Sequence, residues 1–263
     1  MKVFDIRFIF QTYLSVMFAS SLLLLSSAKV YAAEQDSPGY PQGDAALSHE
    51  QLRIPEPLLF DLVRPLGARK GELEVNVLGE FNVESDRFEW APEIEYAFAD
   101  GYAIELEFPT ENGRVVDYKL ALQGTLGVEL EYGMIHGWQV IGLRNRKTGR
   151  YSADALYING LRLSDKWSTL NMIGIRRTEF SGDGENKTLL NNNLFYDVSQ
   201  RLTLGIELNH EINPRGAWRS RIVPQIHLDF SQHTTLQLGA GISRINESGT
   251  TEKVLALRFI HAF

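Results

Sequence analysis

The chain has 263 residues and a formal charge of -7, with 44% hydrophobic and 22% charged residues and no cysteine. The acidic balance argues against nucleic-acid binding, which needs basic surface to neutralise phosphates. The missing cysteines exclude a lipoprotein anchor, a disulfide framework and thiolate metal sites, while the ordinary composition is what strands alternating polar and apolar residues average to.

Lys2 and Arg7 precede an apolar run over residues 17–28, and Val30, Tyr31 and Ala32 surround a cleavage point. Residues 1–32 therefore read as a secretory signal peptide. A retained helical anchor is the weaker alternative, because a bilayer crossing takes about 20 apolar residues. No later run is long and apolar enough to cross as a helix, so entry into a membrane would be by strands. Residues 33–70 hold Pro38, Pro41, Pro55, Pro57 and Pro65 among polar residues and read as a periplasmic N-terminal extension, a simple leader in preference to a plug.

From Glu72 to the last residue the hydrophobic period is two. Phe88, Trp90, Ile94, Tyr96 and Phe98 alternate with Glu89, Glu93 and Glu95; Tyr102, Ile104, Leu106 and Phe108 alternate with Ala103, Glu105 and Glu107. Apolar even positions run from Val116 to Tyr132, which predicts a strand that overshoots the membrane. Residues 169–178 and 188–198 alternate poorly. Leu202, Leu204, Ile206, Leu208 and Ile212 alternate cleanly with Thr203, Gly205, Glu207, Asn209 and Glu211.

Short turns are expected at 99–101, 134–137, 164–167, 199–201 and 231–233, and longer polar loops at 82–87, 110–114, 146–150, 179–187, 213–217 and 246–252. Short and long connections take turns, as a barrel with brief periplasmic turns and extended external loops requires. The expectation is an all-β fold over residues 71–263: a transmembrane antiparallel up-and-down β-barrel of twelve strands in a bacterial outer membrane, both termini periplasmic. A soluble sandwich also alternates, but its apolar face points inward and could not leave so many glutamates on the opposite face.

If the apolar face meets lipid, the lumen is lined on one side by Glu72, Glu74, Glu93, Glu95, Glu105, Glu107, Glu129 and Glu131, joined by Glu80 and Glu89. Arg144, Arg162, Arg219, Arg221 and Arg258 fall on or near inward positions of facing strands. Two readings stay open: a transverse field across a narrow pore, or pairing of these charges that closes the lumen. Leu255, Leu257, Phe259 and Phe263 end the chain on a terminal phenylalanine, and Phe259 and Phe263 resemble the signal read by barrel-assembly machinery. Expected partners are therefore outer-membrane lipid, that machinery and a small solute, with no nucleic acid. His49, His136, His210, His227, His233 and His261 have no paired ligand spacing, so neither metal nor cofactor is expected.

The string Asn209-His210-Glu211-Ile212-Asn213 with Trp218-Arg219-Ser220 resembles outer-membrane phospholipase A, although Ile212 stands where that enzyme has its serine. His210 and Ser220 would lie opposite each other across a hairpin, outward and near the rim. No catalytic residue is assigned, a rim histidine being the simpler reading. Residues 92–109, and 223–230 leading to Leu236-Gln237-Leu238-Gly239-Ala240-Gly241, resemble the outer-membrane barrels of the phenol-degradation meta-pathway and transporter family. That resemblance implies a barrel passing small, including aromatic, solutes. The functional expectation is a passive channel or transporter, with a lipid hydrolase and a closed structural or interaction barrel as alternatives.

Overall fold

The computed structural model describes residues 52, 54–60 and 62–263; the signal peptide and residues 33–51 of the expected extension lie outside these. Twelve strands follow one another: β1 (Leu73–Asn82), β2 (Arg87–Ala99), β3 (Tyr102–Glu107, extended by Thr110–Glu111), β4 (Arg114–Val115, then Asp117–Glu129), β5 (Met134–Asn145), β6 (Tyr151–Arg162), β7 (Trp167–Arg177), β8 (Asn186–Ser199), β9 (Leu202–Ile212), β10 (Trp218–Asp229), β11 (Thr234–Ile245) and β12 (Thr251–Ala262). Each is antiparallel to the next, and β1 pairs with β12 from Glu74↔Ala262 to Asn82↔Val254, so the sheet closes on itself without an edge.

Period-two alternation decides which way each side chain points. Phe88, Ile94, Tyr96, Leu106, Leu120, Ile173, Leu204, Leu257 and Phe259 stand exposed on the outer wall, while Glu95, Glu105, Gln139, Glu207, Gln237 and Arg258 are fully buried within. An apolar belt outside and hydrogen-bonding groups inside is the reverse of a soluble sandwich, and it suits a cylinder whose outer solvent is hydrocarbon.

Ten of the eleven connections fall where the turn residues place them. The exception is the turn expected at 134–137, which forms instead at residues 130–133 as a 3-10 turn (Leu130–Tyr132) closed by left-handed Gly133. A β-bulge between Thr125 and Gly127 inserts one residue into β4. One extra residue exchanges the two faces of everything after it: Val128 turns inward onto the core and Glu129 and Glu131 become exposed.

Residues 52, 54–60 and 62–70 do not hang outside the cylinder. They enter at the end where the short turns lie, where the backbone N–H of Gly67 reaches Thr125 Oγ1 at 2.8 Å and that of Gly101 reaches Ala68 O at 2.7 Å. The apex, at residues 57–60 and 62–63, meets mid-strand groups of β5, β9 and β12. Leu52 and Ile54 then pack near Ile135, Ile158 and Gly160, back at the short-turn end, so the segment is a re-entrant loop. Leu52, Ile54, Leu62 and Val63 form one core with Ala103, Ala121, Ile135, Ile141, Leu156, Ile158, Leu170, Met172, Leu189 and Phe195. This explains the weak alternation of β7 and β8: their inward positions carry Leu170, Met172, Leu189 and Phe195 because they face an apolar segment and not water.

Candidate functional site

The lumen is filled by three layers of interaction, and the re-entrant segment is held chiefly through its main chain. Glu207, an inward residue in the middle of β9, accepts hydrogen bonds from three successive backbone N–H groups: Leu58 at 2.9 Å, Leu59 at 3.0 Å and Phe60 at 2.7 Å. Three donors converging on one carboxylate match its lone pairs and neutralise a charge that would otherwise be costly to bury. Gln139 Oε1 accepts from Val63 N at 3.1 Å, and Gln123 Nε2 donates to the Arg64 carbonyl at 2.6 Å. From the opposite wall, Gln237 Nε2 donates to the Glu56 carbonyl and Arg258 to that of Pro57, both at 3.3 Å.

Beside the apex lies a buried ionic cluster. Arg64 of the segment pairs with Glu74 and, at 3.0 Å, with Glu72. Arg258 donates to Glu93, to Asn76 Oδ1 at 3.2 Å and to the segment, so it ties β12, β1 and β2 to the loop at once. Lys119 meets Glu107 and lies 2.8 Å from Glu105. Asn76 Nδ2 donates to Glu95 at 2.6 Å.

Toward the long loops the lumen is crossed by further pairs. Arg221 holds Glu80 in two bonds of 2.9 Å, and Arg176 bridges Asp154 at 2.6 Å and Glu211 at 2.9 Å. Lys187 adds a second cation to Glu211 at 2.6 Å. A cavity of about 270 Å³ opens at this end, lined by Glu80, Glu89, Glu111, Asp117, Leu78 and Val116 among others.

Of the acidic residues expected in the lumen, Glu74, Glu93, Glu95, Glu105 and Glu107 are buried inside it, and Glu72 sits at its rim on Arg64. Glu129 and Glu131 are outside, for the reason the bulge gives. Among the arginines, Arg258 is buried in the cluster, Arg221 and Arg219 are inward near the loops, and Arg162 pairs with Asp197 at 2.6 Å at the short-turn end. Arg144 departs from the expectation: it falls on an outward position of β5, its guanidinium 6.0 Å from the ring of Tyr151. Opposite charges thus meet inside the lumen. The C-terminal residues behave as a strand end, Phe259 facing out and Phe263 N bonded to Leu73 O at 2.9 Å.

Glu207, Gln139, Gln123, Gln237, Arg64 and Lys119 were not singled out from the sequence. An inward glutamate opposite no cation was the available signal for Glu207, since such a group needs donors from somewhere. On the outer face, His210 and Ser220 stand directly across the β9–β10 hairpin, His210 Nδ1 hydrogen-bonded to Ser220 Oγ with the Trp218 ring 5.7 Å away.

Known structures place this architecture. The NanC porin is 9% identical over 71% of this chain and 98% of its own, with a TM-score of 0.58. The KdgM porin is 9% identical over 72% of this chain and 99% of its own, with a TM-score of 0.55. The barrel has the outer-membrane porin fold. An outer-membrane channel from Pseudomonas putida F1 is 15% identical over 75% of this chain and 97% of its own, with a TM-score of 0.54. At such identities the likeness carries the architecture alone. The HAEPLYID-like family profile matches residues 50–115, the stretch that holds the re-entrant segment and strands β1 to β3. No curated protein matches the sequence.

Proposed function

We propose that the chain is an outer-membrane channel for small solutes whose lumen is kept shut by its own residues 52–66. The observation that carries this reading is the clasp of Glu207 on three backbone N–H groups, which seats a non-strand segment at the middle of a porin-type barrel. In this reading the long loops face outward and both termini face the periplasm, an orientation that the alternation of short and long connections supports. Barrel-assembly machinery would read the last strand and its terminal Phe263. The hairpins at 92–109 and 223–241, which resemble the phenol-degradation barrels, support small solutes of the aromatic kind.

The test is conductance in planar bilayers. The full chain is expected to carry little steady current, and deletion of residues 52–66 should give discrete openings at least about tenfold larger in mean current, because the removed atoms leave a water-filled bore. A deleted barrel that runs as folded on an unheated gel and stays silent overturns the proposal.

A second reading has one observation in its favour: the Ser220–His210 bond on the lipid-facing wall pairs a nucleophile with a base. Phospholipid incubated with the protein in mixed micelles would then release fatty acid, and Ser220→Ala would abolish it. Release that is absent, or equal in the variant, removes this reading.

A further inference from the structure

Across β1, β2 and β3 the inward glutamates stand directly opposite one another: Glu74↔Glu95, Glu95↔Glu105 and Glu93↔Glu107. Like charges in facing register repel, and these are buried. Six carboxylates (Glu56, Glu74, Glu93, Glu95, Glu105, Glu107) meet three cations (Arg64, Lys119, Arg258) in this part of the lumen. A surplus of negative charge remains there.

We propose that Glu93, Glu95 and Glu105 bind a divalent cation that prefers oxygen ligands, calcium in the first instance. One oxygen from each of the three lies within 4.8 Å of the others. Donors about 2.3–2.6 Å from a shared calcium ion can be no farther apart than about 5 Å, so the spacing fits such an ion. The donor set is all carboxylate, which suits calcium or manganese and disfavours zinc and copper.

The second oxygens are already oriented. Asn76 fixes Glu95 Oε1, Arg258 fixes Glu93 Oε1, and Lys119 lies against Glu105 Oε1. Such outer contacts are how metal-binding carboxylates are aimed. What they leave is telling: Glu95 Oε2 and Glu105 Oε2 are buried without a hydrogen-bond partner, on side chains with no exposed surface, and Glu105 Oε1 likewise has no hydrogen bond, only the Lys119 ammonium 2.8 Å away. Arg64 Nη1 lies 4.0 Å from Glu95 Oε2, beyond hydrogen-bond reach. A bound ion satisfies both oxygens and reduces the surplus charge. It would sit against the re-entrant segment, whose Glu56 also has a buried oxygen without a partner.

The experiment uses the full chain in detergent, stripped with a chelator, reloaded with radioactive calcium and passed through gel filtration. About one equivalent of calcium should be retained per chain, as a site of this donor count would hold. Retention should fall at least about tenfold in Glu105→Gln and in Glu95→Gln, both expected to fold because each removes a repulsion, and should be unchanged in Glu131→Gln on the exposed turn. Retention of neither calcium nor manganese, or retention in both buried variants equal to that of the parent chain, overturns the site and assigns the neutralisation to shared protons. Retention is read without current, so this result is separate from the fate of the channel reading.

Discussion

Replacing Glu207 by alanine is expected to open the barrel. The side chain makes three charge-assisted bonds to Leu58, Leu59 and Phe60, and a fourth to Asn209 at 2.8 Å. Bonds to a charged partner contribute about 1.5–3 kcal/mol each and are not additive. A net loss of only about 4 kcal/mol would still shift the seated-to-released ratio of the loop by roughly a thousandfold. The three N–H groups cannot find new partners on an alanine wall, so the apex would leave for water at the short-turn end. Glu207→Gln keeps one acceptor oxygen without the charge and should fall between the two. Open probability in planar bilayers reads the effect, with protease cleavage within residues 52–66 as a second measure. Current and cleavage in Glu207→Ala equal to those of the parent chain would remove Glu207 as the latch.

The second large effect is on stability, at Arg258. This guanidinium is fully buried and donates to Glu93, Asn76 and the Pro57 carbonyl. Removing one member of a buried ion pair typically costs about 3–5 kcal/mol, because the partner stays behind uncompensated. Arg258→Leu also raises the local excess of carboxylates, so the cost should lie at the upper end of that range. Arg258→Lys retains the charge but, as a compact ammonium, cannot reach three partners in fork geometry, and should recover part of the loss. The denaturant concentration at which the compact band disappears from an unheated gel measures this. An unchanged midpoint in Arg258→Leu would mean that β1, β2, β12 and the loop do not depend on this joint.

The cylinder itself was legible because lipid and lumen impose opposite demands on neighbouring residues, and strands such as 202–212 display both in turn. Two things were hidden. The bulge at Thr125 and Gly127 leaves the apolar even positions from Val116 to Tyr132 unbroken in the sequence, its one hint being a glycine within a strand, yet it exchanged the faces of Glu129 and Glu131. The re-entrant loop was hidden because its partners are distant: Val63 and Gln139 are 76 residues apart, and Pro57 and Arg258 201. A trace of it did lie in the sequence. The inward sides of β6 to β8 carry Leu156, Ile158, Leu170, Met172 and Leu189, which in an open aqueous bore would have nothing to touch.

Almost every bond that seats the loop is made to its peptide groups: the N–H of residues 58, 59, 60, 63 and 67, and the carbonyls of residues 56, 57, 64 and 68. The wall therefore recognises a backbone path more than a set of letters. Arg64 apart, whose guanidinium pairs with Glu72 and Glu74, the apolar side chains along this stretch are free to diverge so long as they remain greasy and the path is kept, and a synthetic peptide of different spelling that traced the same course and kept that arginine could occupy the same berth.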